Sequence, residues 1–226
     1  DVNNTIKQDN SGTVVPAVAG GDIVWKYSKG SGEGTLSQGG QVWKMNGFRG
    51  GSLNEGKDIT FGGKGTVVLK DDVVQGAGSL TFNGDYTVRP EGNQTWVGGV
   101  IIVNDGHRVD WMVNGLAGDA LHKIGKGILV VAGSGENPGA LNTGDGTVIL
   151  AQKADAAGKV RAFSEVSIVS GRPVVVLQDS HQIEGDRIRW GYRGGTLDIN
   201  GNDMAFNRLA AADEGAVLTS RERPAT

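Results

Sequence analysis

The chain has 226 residues, no cysteine, a formal net charge of −3, and 39 glycines beside only 5 prolines. These values exclude disulfides, thiolate zinc sites and cysteine nucleophiles, and they leave no basic face for nucleic acid or an anionic membrane. Glycine without a period of three, and so little proline, excludes collagen. With 38% hydrophobic and 6% aromatic residues, the core must be built from small and branched aliphatic side chains, which suits narrow stacked strands. No apolar run approaches the ~18–20 residues of a spanning helix. Asp1-Val2-Asn3 opens without a basic and then apolar leader, so no signal peptide is expected within these residues.

In chain order, Val14 to Gly21 combines Pro16 with a double glycine and is expected to be an irregular connection or an edge strand. Asp22 to Tyr27 is expected as a strand, and Lys29 to Gly34 as a glycine-rich turn. Thr35–Gln38 and Gln41–Met45 follow as strands joined at Gly39-Gly40, a strong hairpin signal. Residues 1–50 therefore form a hairpin-rich start or cap, and 51–226 a more regular array.

From about Asp58 a phrase recurs: a glycine, several apolar or β-branched residues, then a polar turn. It begins at Gly65, Gly78, Gly99, Gly127, Gly146, Gly171, Gly195 and Gly215, with gaps of 13, 21, 28, 19, 25, 24 and 20 residues. A recurrence of 20 to 50 residues marks a solenoid, a propeller or another array. Propeller blades are too long, and the Leu/Asn framework of leucine-rich repeats is absent. The segments Thr66–Leu69, Val100–Val103 and Val174–Leu177 are β-branched and too short for helices. The expected fold is all-β: a right-handed parallel β-helix with three short strands per coil. Corners are expected at Asn83-Gly84, Asn104-Asp105-Gly106, Asn114-Gly115, Gly144-Asp145-Gly146 and Asn200-Gly201. Ala151 to Phe163 contains helix formers but is broken by Gly158, and is taken as a loop leading to a strand at Glu165–Val169. Met204–Phe206 is taken as a strand, with a short helix as the alternative.

Candidate chemistry is sparse. His107, His122 and His181 show no metal-ligand spacing, and each is taken as a surface or turn residue. Asp179-Ser180-His181 has the residue types of a triad, but neighbours on a strand point to opposite faces. Gly133 to Gly139 resembles a phosphate loop without its terminal Lys-Ser/Thr or a following helix. Gly62-Gly63-Lys64-Gly65-Thr66 lacks the aspartate of a calcium-binding repeat. Trp25, Trp43, Trp96, Trp111 and Trp190 are expected to serve packing rather than a sugar platform. No catalytic, cofactor-binding or metal-ligating residue is assigned, and no cofactor is expected.

Several long phrases carry a resemblance. Leu121-His122-Lys123-Ile124-Gly125-Lys126-Gly127, Gly144 to Asp155, Trp190 to Asn202 and Asn207 to Ala216 together resemble the passenger domains of the serine protease autotransporters of enterobacteria, a group related to the immunoglobulin A proteases. The likeness covers about Gly50–Thr219, with Asp72–Phe82 and Asp110–Gly115 included, and is looser before it. It implies a secreted protein on the surface of a Gram-negative bacterium. It also implies an upstream chymotrypsin-like protease domain and a C-terminal outer-membrane barrel in the same precursor. The family's Gly-Asp-Ser-Gly nucleophile phrase has no match in this chain, so no catalytic residue transfers and this chain itself is expected not to be an enzyme. The implied role is a β-helical stalk that presents the protease and aids secretion, with no membrane insertion of its own. The alternative is an adhesin or exosite that binds a host protein or glycan through exposed groups near Trp96 or Arg193.

Overall fold

The computed structural model describes residues 13–15, 21–28, 33–46, 58–169, 171–191, 194–206, 210–211 and 216–221. Residues 16–20 of the expected connection, residues 29–32 of the expected turn, Arg193 and Gly215 lie outside these residues. Val14 and Val15, Glu33 and Gly34, and Ala216–Thr219 after Gly215 all lie in strands, so the turn expected over Lys29–Gly34 ends before Glu33.

The first strands are β1 (Thr13–Val15), β2 (Ile23–Ser28), β3 (Glu33–Gln38), β4 (Gln41–Asn46), β5 (Ile59–Leu69), β6 (Val73–Pro90), β7 (Trp96–Val103), β8 (Arg108–Trp111) and β9 (Ala120–Ile124). They are followed by β10 (Ile128–Val131), β11 (Ala140–Thr143), β12 (Thr147–Leu150), β13 (Val166–Ile168), β14 (Val174–Leu177), β15 (Ile188–Trp190), β16 (Gly195–Asp198), β17 (Ala210–Ala211) and β18 (Ala216–Thr219). Apart from β2–β3 and β3–β4, all pairings among them are parallel. The chain winds as a parallel β-helix of about seven coils.

Each coil has three sides. The first carries a ladder from β2 through the ends of β5 and β6 to β8, β10, β12, β14, β16 and β18. The second runs from β1 through the starts of β5 and the middle of β6 to β7, β9, β11, β13, β15 and β17. The third pairs the start of β6 with the start of β7 and then continues only as the single bridges Thr95–Asn114, Ser134–Lys153 and Glu136–Arg161.

In-register stacking converts the alternation of each strand into columns. Tyr86, Val109, Leu129, Val148, Val175 and Leu197 occupy one column and are all buried. Val67, Val88, Trp111, Val131, Leu150 and Leu177 form the column beside it. Burying each aliphatic member contributes roughly 1.5–3 kcal/mol, so the shaft accumulates stability coil by coil. Aromatic residues thicken its early part: Phe61 stacks on Phe82 with centroids 5.1 Å apart, and Tyr86 tilts against both. Trp96 meets Trp111 edge-on at 5.3 Å. All five tryptophans are buried, in keeping with the packing role expected of them. Trp96 therefore offers no surface to a ligand.

The Gly39-Gly40 hairpin forms as expected, with Gln38 opposite Gln41. Ala151–Phe163 contains no helix, and only Lys153 and Arg161 make bridges. The structure corrects one expectation and adds detail to two others. The recurring glycine phrases do not all belong to one side: Gly78 and Gly99 precede second-side strand segments, whereas Gly65, Gly127 and Gly146 belong to the first. Switching sides produces the irregular gaps of 13 and 28 residues. Asn83-Gly84 stands at a corner as expected, but without a break between strands. It lies within the 18-residue β6, which pairs with β5 around the corner without a register shift. A Cβ at Gly84 would fall 1.4 Å from the Gly63 carbonyl oxygen, so glycine here allows close backbone approach. Finally, Met204–Phe206 is not a strand. Ala205 lies against Gly185, which opens a 3-10 turn at Gly185–Arg187 and offers no strand edge to pair with.

One inward position breaks the apolar rule. Lys123 sits in the column Leu80, Ile101, Lys123, Thr143, Ile168 and Trp190, with no exposed surface. Its ammonium donates to the carbonyl oxygens of Gly125 at 2.7 Å, Gly127 at 2.7 Å and Asp145 at 2.8 Å. Burial pushes its pKa down to about 8, and the Asp145 carboxylate partly opposes the shift. Gly146 closes over the ammonium at a φ of 68°, where a Cβ would lie 2.4 Å from both Nζ and the Gly125 carbonyl oxygen.

Two predictions follow from this corner. Gly146→Ala should destabilise the chain by on the order of 3 kcal/mol in urea unfolding. Gly106→Ala, also at positive φ but with open space around its Cβ, should cost only about 1–2 kcal/mol; equal costs would contradict the close approach. Lys123 is charged in both states below its folded value of about 8. Between about 8 and the unfolded value of 10.5, the unfolded chain binds more protons, so stability rises with pH. The stability of the native chain relative to Lys123→Met should therefore increase across this window. A flat or falling difference in paired unfolding curves would refute the assignment.

Candidate functional site

The third side is where the shaft departs from a plain solenoid. Beyond β7 its continuous ladder gives way to single backbone bridges, and side-chain amides add bonds between them. Asn137 Oδ1 accepts from the amides of Gly115 at 3.0 Å and Gly139 at 2.9 Å. Gln152 and Gln182 join two coils reciprocally: the Gln152 amide donates to Gln182 Oε1 at 2.7 Å, and Gln182 Nε2 donates to the Gln152 carbonyl oxygen at 3.0 Å. Gln152 Nε2 also donates to Asn114 Oδ1 at 2.9 Å. Asn137, Gln152 and Gln182 are buried. Asn137 and Gln182 meet the rule that a buried polar group finds partners, whereas Gln152 pairs through Nε2 and leaves Oε1 buried without a partner.

Freed from a continuous ladder, this side bulges into loops, and a groove of about 600 Å³ opens between them. Val160, Ile183 and Met204 provide its apolar lining. Glu136, Glu184, Asp186 and Asp203 bring carboxylates, set against Arg161 and His181. Arg161 lies 3.9 Å from the Glu136 carboxylate, a separation of little energetic weight at the surface. The balance is acidic, and the shape is that of an open trough.

Ser180 and His181 line this groove, but Asp179-Ser180-His181 is not assembled as a triad. Asp179 Oδ1 accepts the His181 backbone amide at 2.9 Å, and Asp179 Oδ2 accepts from Gln182 Nε2 at 2.9 Å. Its carboxylate thus shapes a turn, and His181 Nδ1 stands 3.7 Å away. His107 lies 3.6 Å from Asp85 on the surface, and His122 points outward from β9. Among the described residues, no three His, Asp or Glu side chains gather as a metal site. The Gly133–Gly139 loop is not a phosphate cradle, because the Gly135 amide donates to the Lys153 carbonyl and the Gly139 amide to Asn137. Gly62–Thr66 lies inside β5. No helix among the described residues is long and apolar enough to cross a membrane.

Sequence reasoning overlooked both the amide set of the third side and Lys123. Lys123 had a signal: it shares the parity of Leu121, which puts it on the inward face of β9. The amides had none, because their partners lie up to 38 residues away.

No family model matches this sequence. It is 54% identical over 215 residues to the serine protease SepA autotransporter of Shigella flexneri, covering 95% of this chain and 16% of that protein. Among solved structures, the Hap adhesin of Haemophilus influenzae matches with a TM-score of 0.82 and 37% identity, over 91% of this chain and 25% of that one. The passenger domain of the plasmid encoded toxin, an autotransporter enterotoxin of enteroaggregative Escherichia coli, matches with a TM-score of 0.64 and 30% identity, over 88% of this chain and 19% of that one. The chain thus spans a small part of the length of each. In sequence and in fold alike, it belongs to the serine protease autotransporters, as a β-helical segment of their passenger domain.

Proposed function

We propose that this chain is a stalk segment of a secreted passenger, presenting an upstream protease domain and aiding folding and passage through the outer membrane. The observation that carries this reading is the unbroken inward column from Tyr86 to Leu197, in which each coil is completed by the next. A coil that has docked outside the cell gains burial and ladder hydrogen bonds, and these oppose its sliding back. The parent protein in this reading is a serine endopeptidase at the surface of a Gram-negative bacterium. Its catalytic groups lie elsewhere in the precursor, as does its membrane barrel. This segment supplies no catalytic, cofactor or metal residue, contacts no nucleic acid and inserts in no membrane.

The test places a charge in the column. Val148→Asp or Val175→Asp buries an unpaired carboxylate and should cost at least about 3 kcal/mol. Secretion of the full-length parent should then stall, measured as passenger accumulating in the periplasm. Normal export of both variants would overturn the reading.

A second reading is favoured by the acidic groove and by the similarity to a protein described as an adhesin. Here the segment is a binding module, and a host protein with a basic, extended stretch is the ligand that fits best. Neither Trp96, which is buried, nor Arg193 guides its test. Glu184→Gln with Asp203→Asn should weaken capture of a lysine-rich peptide by this chain about tenfold or more, and leave its thermal unfolding unchanged. Equal capture by native and variant chains would remove the groove from consideration.

A further inference from the structure

We propose that Lys123 is a docking latch: its ammonium is housed only when the next coil has stacked in register, so each side of this coil boundary stabilises the other. The inference extends the coil-by-coil folding reading, but its geometry stands without any assumption about secretion.

The three acceptors divide between two coils. Gly125 and Gly127 lie two and four residues beyond Lys123, on the same coil. Asp145 lies 22 residues away, at the matching corner of the following one. Gly146 of that coil covers the ammonium directly, and a Cβ there would meet Nζ and the carbonyl oxygens of Gly125 and Gly127. The lid over the charge is therefore the incoming coil itself. Without it, two of the three acceptors are present and the corner above Nζ is open to water.

Once covered, the charge is expensive to leave incompletely solvated. A coil arriving one residue out of register would turn its side chains to the other face and withdraw the Asp145 carbonyl. It would bury an ammonium with an unfilled donor. Aliphatic columns discriminate weakly between neighbouring registers, because valine, leucine and isoleucine pack on one another in many combinations. Three carbonyl oxygens at hydrogen-bonding distance from one nitrogen discriminate sharply. A single buried polar group that fixes pairing register is a known use of such groups in coiled coils. The same logic places this one at the boundary between the coil of β9 and β10 and the coil of β11 and β12. The opposite arrangement, with an uncharged chain of the same length, would leave the Gly125 and Asp145 carbonyl oxygens facing hydrocarbon and Gly127 with only its bond from the Thr147 amide.

The decisive measurement is residue-resolved hydrogen exchange on the full chain. Gly144 donates to the Lys123 carbonyl, and Thr147 to the Gly127 carbonyl, so both amides report directly on the boundary. In Lys123→Met, exchange at Gly144 and Thr147 should accelerate at least tenfold more than at Phe82 and Val103, which lie in earlier coils. A change spread evenly over all four amides, or slower exchange at the boundary, would overturn the latch. Lys123→Ala offers an independent arm, since n-propylammonium can enter the vacated space. It should restore protection at Gly144 and Thr147 at least fivefold, whereas n-propanol at the same concentration should not. Equal effects of the two additives would also overturn the latch. Export is not involved in either arm, so failure here would leave the stalk reading to its own test.

Discussion

The constraint on which everything else rests is the pairing of each coil's backbone with the coils above and below it. A strand of four residues cannot stand alone, and its amide and carbonyl groups must find partners outside itself. In β10, β12 and β14 those partners come from the next turn of the same spiral, in unbroken register. Side-chain composition is then dictated by this pairing. Parallel stacking at roughly 4.8 Å sets like positions over one another, so the interior becomes a set of columns. Val148 over Leu129 and under Val175 illustrates why branched aliphatics of similar volume are used.

Glycine has a different task from the one its frequency first suggests. Gly106 and Gly201 adopt positive φ at open corners, which is the turn-forming role. Gly84 instead admits a neighbouring backbone within β6, and Gly146 does both. Corners at which chains approach this closely hold concentrated carbonyl oxygens. Lys123 resolves that concentration at one of them, and the price in specificity and in solvation is confined to a single residue. On the third side the same need is met by neutral amides, with Asn137 and the Gln152–Gln182 pair replacing ladder bonds.

The sequence exposed most of the fold because its dominant interactions are local in pattern. A short β-branched run after glycine, as in Thr147–Leu150, identifies a strand, and Gly39-Gly40 between two apolar runs identifies a hairpin. Recurrence then implies stacking. What stayed hidden depended on pairing between coils. The side to which the strand after Gly78 belongs follows from its partner in β5, not from its own residues. Met204–Phe206 failed to become a strand because its neighbour is a 3-10 turn. The acidic groove was equally hidden, since Glu136, Glu184 and Asp203 come from three different coils and share no local motif.

The distribution of irregularity along the three sides has a functional logic. Two ladders continue through the described coils and carry the mechanical continuity of the shaft. Because they do so, the third side needs only isolated bridges and can extend loops without breaking the core. Ala162 and Phe163 remain fully packed at the base of the long loop that begins after Leu150, so the excursion leaves the columns intact. A solenoid built this way separates two demands that compete in compact domains: uniform stacking, which supports sequential folding, and local variation, which creates recognition surfaces. The groove and the Lys123 cradle lie on opposite sides of that division. One uses the freedom of the unpaired side, and the other enforces the register on which the paired sides depend.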